Sequence, residues 1–546
     1  MTEITKSITY LKEYKKLKEA LLAGKTPLLA VGLSAIHKAH LAAALGAETG
    51  RPVFVLTDDD NAANRFASDL HAFSEKPVTV LPARDLVMAD VAGVSRGYEQ
   101  KRLAALDGLP EARFAVASVQ AAALRTLPPD ALGSASVTIR TGQEAPLDGL
   151  AQELTRAGYE RCTQVEGAGQ FSVRGGILDV FPPQAEHPYR VEFWDDEVDS
   201  IATFDVGSQR RLDTAEALRC LPCMETLPAL AKGGAAGLAK AVLGLLSTRR
   251  KKHPDLAANL ERDAERLRET GGLPAADKYL PLVYPEPASA FDYLPENALV
   301  LIEDTPRLRD AARDFHARIA DDMTALLERG ELPPGLDGYA LDFASLCRVP
   351  RTVLRLDSFL NNVPELAPQQ LENFVANQMN AYGGNLDMAA ADIRAYIQQG
   401  RAVAVVCGSG LRCRNMCDAL TGAGIRAAVS DLLPKGGHVS VLEGTLSAGF
   451  EYPDLGLVVM TEGQVLARRK KAPVKKSNRD RVKSFTDLMP GDLVVHEHHG
   501  IGRFVGMERM TVDGAERDFI KIAFAGTDFL YVPATSLDLI SKYIGG

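Results

Sequence analysis

Four short apolar runs, TPLLAVG, RPVFVLTD, PVTVLPA and RFAVASV, punctuate the first 120 residues, with helical stretches such as DDNAANRFASDLHAFS between them. A strand that is apolar on both sides must be covered on both sides, and strands alternating with helices predict a doubly wound parallel sheet. At 546 residues the chain is too long for one core. Units of roughly 100–200 residues each give three to five domains.

The first run leads to a glycine and then a lysine, LLAVGLSAIHKAH, which is nearly the strand, loop and helix of a nucleotide site. A phosphate loop needs GxxxxGK followed by Ser or Thr, so that backbone N–H groups wrap the phosphates and a hydroxyl holds magnesium. Gly32 and Lys38 stand in register, but His37 replaces the second glycine and Ala39 replaces the hydroxyl residue. The tight turn then carries an imidazole, and the metal loses its ligand. LVLIED ends in Glu303–Asp304, where hydrolysis would want Asp then Glu. The expectation is a retained frame with an emptied pocket.

From about Gly149 a helix gives way to closely spaced strands with Gly and Pro turns, GQFSVRGGILDVFPP and PYRVEFWDDEVDSIATFD, forming an α+β insert. The lone strand ALVLIED and the helix after it return to α/β, so the insert splits one domain. Another α/β unit follows, and then a basic stretch, ARRKKAPVKKSNRDRVKS. The last 55 or so residues read as short strands of a small SH3-like or Tudor-like barrel, closed by a helix, TSLDLISKYIGG.

In YRVEFWDDE, Tyr189, Val191 and Phe193 share one strand face, and Arg190, Glu192 and Trp194 share the other. The apolar set belongs to the core, which leaves the only tryptophan of the chain on the polar face beside an arginine. The same alternation in FSVRGG buries Phe171 and Val173 and turns Arg174 outward. Two arginines and a tryptophan on an outer face have the composition of an interface hot spot. The competing reading is a cation–π pair on a surface strand, or a tryptophan beneath a neighbouring domain. Asp195, Asp196 and Glu197 read as the polar turn that ends the strand.

GQFSVRGGILDVFPPQAEHPYRVEFWDDEVDSIATFDVGSQR resembles the signature insert of UvrB and of the bacterial transcription-repair coupling factors, the Mfd family. GDLVVHEHHGIGRFVGM followed by DFLYVPATSLDLISKYIGG resembles the polymerase-interacting module of the coupling factors, which UvrB lacks. The resemblance covers essentially the whole chain, and it implies a UvrB-like first motor domain without ATPase residues. The implied layout is a degenerate RecA/helicase-like sheet (1–125 and 213–345), split by a UvrA-binding insert (126–212). An α/β domain (346–465), a basic linker (466–486) and an RNA polymerase-interacting barrel (487–546) complete it.

By motif, the UvrA-binding residues of the family fall on Arg174, Arg190 and Trp194, although the family more often has phenylalanine at the last position. The polymerase-binding pattern VHxxHGIG falls on Val495, His496, His499, Gly500 and Ile501. Glu497 stands there where an apolar or neutral residue is common. In the family this module docks on the β subunit of RNA polymerase through a strand edge, matched here by Leu493 to Phe504. Two translocase motors and an autoinhibitory domain would follow the present chain, and ATP, magnesium and most DNA contact would belong to them. The implied function is that of an adaptor fragment without ATPase activity or cofactor. A UvrB-like nucleotide-dependent helicase or damage-binding protein is the second reading.

Several features point elsewhere. His496, His498 and His499 suggest a metal site, but only the first two share a strand face and no further ligand is obvious. Cys220 and Cys223 form a lone CLPC, and Cys407, Cys413 and Cys417 lie in and after an apolar strand, where cysteine serves as a small core residue. The run Arg468, Arg469, Lys470, Lys471, Lys475 and Lys476 reads as a solvated linker, with DNA phosphates as the alternative partner. A net charge of −9 removes any general attraction to DNA, so such a contact would be local. No apolar run approaches the ~20 residues of a membrane span and no signal pattern follows Met1, so a cytosolic protein without membrane contact is expected.

Overall fold

A computed structural model of the chain describes residues 2–89, 96–246, 254–379, 381–433, 437–466, 479–481, 491–496, 500–512, 515–523, 529–533 and 540–543. It divides into two compact units, 1–466 and 467–546.

The first unit is built on a parallel seven-stranded sheet. Its strands run in the order Gln370–Asn373, Leu28–Val31, Val353–Leu356, Leu299–Glu303, Val53–Thr57, Phe114–Ser118 and Val78–Leu81. Each apolar run feeds two cores. Val300 and Ile302 enter one, while Leu299 and Leu301 enter the other, as do Phe54 and Leu56 against Val53 and Val55. Burial on both faces is why these strands carry no polar alternation. The sheet continues past the expected end at residue 345. Val353–Leu356 lies between Leu28–Val31 and Leu299–Glu303, and Gln370–Asn373 forms the edge.

The insert also has different limits from the expected 126–212. Leu127 and Leu132 belong to the core of the large sheet. The insert is entered by Val137–Arg140 and left by Ala217–Cys220, two antiparallel strands that pair with one another. Entry and exit side by side allow a folded module to be accommodated in a loop of its host. Between them a six-stranded sheet runs in the order Arg211–Ala215, Glu197–Phe204, Tyr189–Trp194, Ile177–Val180, Gln170–Arg174 and Glu160–Arg161. One face packs on the helix Leu147–Arg156 through Leu150, Ala151 and Leu154, with Phe171, Leu178, Val180, Val191 and Ile201 beneath. Cys220 and Cys223 complete this core, and burial pushes the Cys220 thiol up to about 12. The CLPC pair is therefore packing material and holds little thiolate.

An ion cluster fastens the exit of the insert to its host. Arg84 donates to Glu225 (2.6 Å) and with both terminal nitrogens to Asp277 (2.6 and 3.1 Å). Glu99 accepts from the Glu225 backbone N–H at 2.7 Å, and Arg102 Nε lies 3.2 Å from Glu225. All five side chains are nearly inaccessible. None of this was legible beforehand, because the partners come from four separated segments.

The second α/β domain is a six-stranded sheet, ordered Asn377–Gln378, Phe450–Tyr452, Leu457–Thr461, Ala402–Cys407, Val439–Glu443 and Ala427–Val429. Ala404, Val406, Phe450 and Tyr452 share a core with the first sheet, while Val403, Val405, Cys407 and Cys413 face the other way. The cysteines of this region thus serve the core, as read from their strand. No helix among the described residues is long and apolar enough to cross a membrane.

The second unit is an antiparallel sheet, ordered Arg479–Arg481, Ile540–Tyr543, Leu493–His496, Gly500–Val512, Ala515–Ala523 and Phe529–Pro533. Val494, Phe504, Ile520 and Ile522 are buried. No pairing among the described residues joins the two outer strands into a barrel. Two expectations are corrected here. Arg479–Arg481 of the basic linker is a strand, and Ile540–Tyr543 of the expected terminal helix is a strand that pairs on both sides. Four residues gain more from two hydrogen-bonded neighbours than from a single helical turn. The run from Arg468 to Lys476 lies outside the described residues.

Candidate functional site

On the outer face of the insert sheet, strand register decides which side chains meet. Asp179 stands opposite Arg190 on one side and Ser172 on the other. Arg174 occupies the next same-face position beyond Ser172 and precedes a two-residue turn, Gly175–Gly176. Gly175 lies in the left-handed region at φ 59°, where a side chain is strained. The Gly176 carbonyl accepts from Phe193 N–H at 2.8 Å, so the turn after Arg174 is pinned beside the end of the strand that carries Trp194.

The two arginines converge on one carboxylate. Arg190 donates from Nε to Asp179 Oδ1 (2.7 Å) and from Nη2 to Oδ2 (2.9 Å), and Arg174 donates from Nη2 to Oδ2 (2.5 Å). Arg190 also donates to Gln209 Oε1 at 3.1 Å, and its guanidinium lies 4.5 Å from the centre of the Phe204 ring. Hydrogen bonding to Asp179 holds the Arg190 pKa above its ordinary value. Asp179 is only 1% exposed, whereas Arg174 keeps 48% of its side-chain surface and Arg190 24%.

Trp194 ends its strand 80% exposed. It lies four residues from Arg190 on the same face, about 13 Å along a strand rising ~3.3 Å per residue. Asp195 turns the chain at φ 54°, and Glu197 pairs back on Trp194. The turn reading of the acidic residues therefore holds, with Glu197 opening the next strand. The cation–π alternative is corrected in its partner, since Arg190 uses the buried Phe204 and leaves the indole uncovered. Sequence reasoning missed Asp179, although alternation in ILDVF already places it on the arginine face.

At the phosphate-loop position, Gly32 has φ 81°, and a Cβ there would lie 2.2 Å from the backbone oxygen of Phe374. The strand Gln370–Asn373 thus brings its next residue across the turn that would hold phosphates. His37 is fully buried against Phe450 and Tyr452, with ring centroids at 5.4 and 5.1 Å, and Ala39 is buried as well. Burial drives the His37 pKa down to about 3 and that of His40, which hydrogen-bonds Tyr452, down to about 4. Lys38 is 2% exposed with Nζ 3.6 Å from Glu303 Oε1. The neighbouring cleft of about 350 Å³ is lined by four carboxylates, Asp58, Asp69, Glu303 and Asp304, against Lys38, Arg65 and Arg307. These residues do not fit a nucleoside triphosphate: the lysine is engaged, the turn is blocked and acids face the space.

In the C-terminal sheet, Val495 pairs with Ile501 and Ser541, and His496 with Gly500 and Ile540. The strand Leu493–His496 is therefore interior, which corrects the expectation that it offers a free edge. Glu497, His498 and His499 lie outside the described residues, and the metal reading of the histidines with them.

Family models match two stretches of the chain, a UvrB interaction domain over residues 137–225 and a CarD-like/TRCF RID domain over 488–544. The first begins at the entry strand of the insert and ends at Glu225 of the ion cluster. A transcription-repair-coupling factor of Bacillus subtilis is 32% identical over 557 aligned residues, covering 98% of this chain and 47% of that protein. Counterparts from Staphylococcus epidermidis and Staphylococcus aureus are each 26% identical, covering 95% of this chain and 45% of theirs. The chain thus spans about half the length of the curated relatives it matches. With both domain matches in the same order and an alignment along nearly all its length, the chain is similar to transcription-repair-coupling factors over about half of their length.

Proposed function

We propose that this chain is the recruiting portion of a transcription-coupled repair factor, in which the insert captures UvrA and the C-terminal sheet holds RNA polymerase. The observation that carries the reading is Trp194, a large apolar side chain 80% exposed at the end of a strand, on a sheet face that also carries two arginines. An exposed indole beside guanidinium groups has the chemistry of a binding hot spot. Arg174, Arg190 and Trp194 are the contact residues on this reading.

Polymerase binding, through its β subunit, is assigned to the module containing Val495, His496, Glu497, His499, Gly500 and Ile501. Because Leu493–His496 is paired on both sides, contact there uses side chains, or a strand edge elsewhere in the sheet. This portion hydrolyses no ATP on the same reading, since Lys38 is committed to Glu303. The helicase-like alternative would require that lysine to be free.

The single tryptophan supplies the test. With 5-fluorotryptophan in the chain, one ¹⁹F resonance reports Trp194. Addition of unlabelled UvrA without nucleotide should shift or broaden it, and a resonance indifferent to saturating UvrA overturns the capture site.

A further inference from the structure

We propose that Asp179 is the positioning residue of the insert's binding face, one buried carboxylate that fixes both guanidinium groups in the plane a partner meets. The inference rests on the UvrA-capture reading and extends it to a residue that need not touch the partner. Ile177–Val180 is the strand between those carrying Arg174 and Arg190, so its outward carboxylate can reach both. The side-chain hydrogen bonds to the Asp179 carboxylate among the described residues come from these two arginines.

A carboxyl group 1% exposed in a strand between Leu178 and Val180 contributes nothing apolar to the core. Its chemistry is spent wholly on the two arginines. Two guanidinium groups share one carboxylate, and Glu192 on the same face lies 3.8 Å from Arg211. Arg190 is held through Nε and Nη2 by Asp179 and Gln209, which fixes its orientation. Arg174 gives one nitrogen to Asp179 and keeps about half its surface open. A preformed arrangement of long side chains avoids ordering them at the moment of binding. Without the carboxylate, the two like charges would repel and the side chains would disperse over many rotamers.

The test uses the full chain and purified UvrA, with affinity and thermal unfolding read on each variant. Asp179→Asn retains the shape and removes the charge. Its affinity for UvrA should fall about ten-fold. Arg174→Ala should weaken the wild-type chain severalfold but add little in the Asp179→Asn background. That coupling separates positioning from a general loss of stability, whose effect would be the same in both backgrounds. If Asp179→Asn does not fold, Arg190→Lys carries the test: it keeps the charge, loses the two-pronged grip and should weaken binding by a similar factor. Wild-type affinity in the folded Asp179→Asn chain, or penalties that multiply independently, overturn the inference provided Trp194→Ala still impairs binding. Wild-type affinity in Trp194→Ala and Asp179→Asn alike would remove the capture reading itself and this inference with it.

Discussion

Lys38 and Glu303 face each other at 3.6 Å inside the first domain, the lysine 3% and the glutamate 15% exposed in their side chains. These are the positions at which a nucleotide-hydrolysing fold would hold phosphate and magnesium. Here the two charges satisfy each other. Burial raises the Glu303 pKa, and the Lys38 ammonium offsets only part of that rise.

Removing one member should therefore act on stability and leave nucleotide chemistry untouched. Lys38→Met strands a carboxylate in a low-dielectric site and should cost about 2–3 kcal/mol in urea unfolding. The double variant Lys38→Met, Glu303→Gln should recover most of that loss. ATP turnover should be indistinguishable from background in wild type and in both variants. A turnover that disappears with Lys38 would instead establish a working site.

Acid should destabilise the junction between the two α/β domains. His37 and His40 are held neutral in the fold, with pKa values of about 3 and about 4, against an unfolded value of 6.5. Below pH 6.5 the unfolded chain therefore binds protons that the folded chain refuses, and stability falls with falling pH until the folded values are reached. The slope from each histidine approaches about 1.4 kcal/mol per pH unit well inside that window. Unfolding followed from pH 7 to pH 4.5 should show it, with a shallower dependence in His40→Gln.

Arg84 should prove the most sensitive single residue at the base of the insert. Arg84→Met leaves Glu225 and Asp277 buried without their principal counter-charge, and losses for such broken pairs run to about 3–5 kcal/mol. Hydrogen exchange should rise first at Val137–Arg140 and Ala217–Cys220, the paired strands through which the insert joins its host. Protection in those strands equal to wild type would contradict the clamp.

Trp194→Ala should separate binding from folding. An 80% exposed side chain contributes little to the core, so unfolding free energy should change by less than about 0.5 kcal/mol. Calorimetric titration with UvrA should lose about 2 kcal/mol, the magnitude of a hot-spot residue. A variant that binds as tightly as wild type would exclude the indole from the contact.

Features that depend on neighbours along the chain were legible in the sequence. Period-two alternation placed Trp194 and Arg174 outward and Phe171 inward, and double-sided apolar runs announced the parallel sheet, because side-chain direction in a strand follows from backbone geometry alone. The departures from the phosphate-loop pattern at His37 and Ala39 were likewise readable from the sequence. Contacts between distant segments were decided only by the tertiary structure. Val353–Leu356 joins the first sheet because it fits between Leu28–Val31 and Leu299–Glu303. Ile540–Tyr543 is a strand because two others flank it. Glu303 finds Lys38, and Arg84 finds Glu225 and Asp277, across spans of more than a hundred residues. Such pairings depend on which surfaces are buried together, and no local periodicity records that.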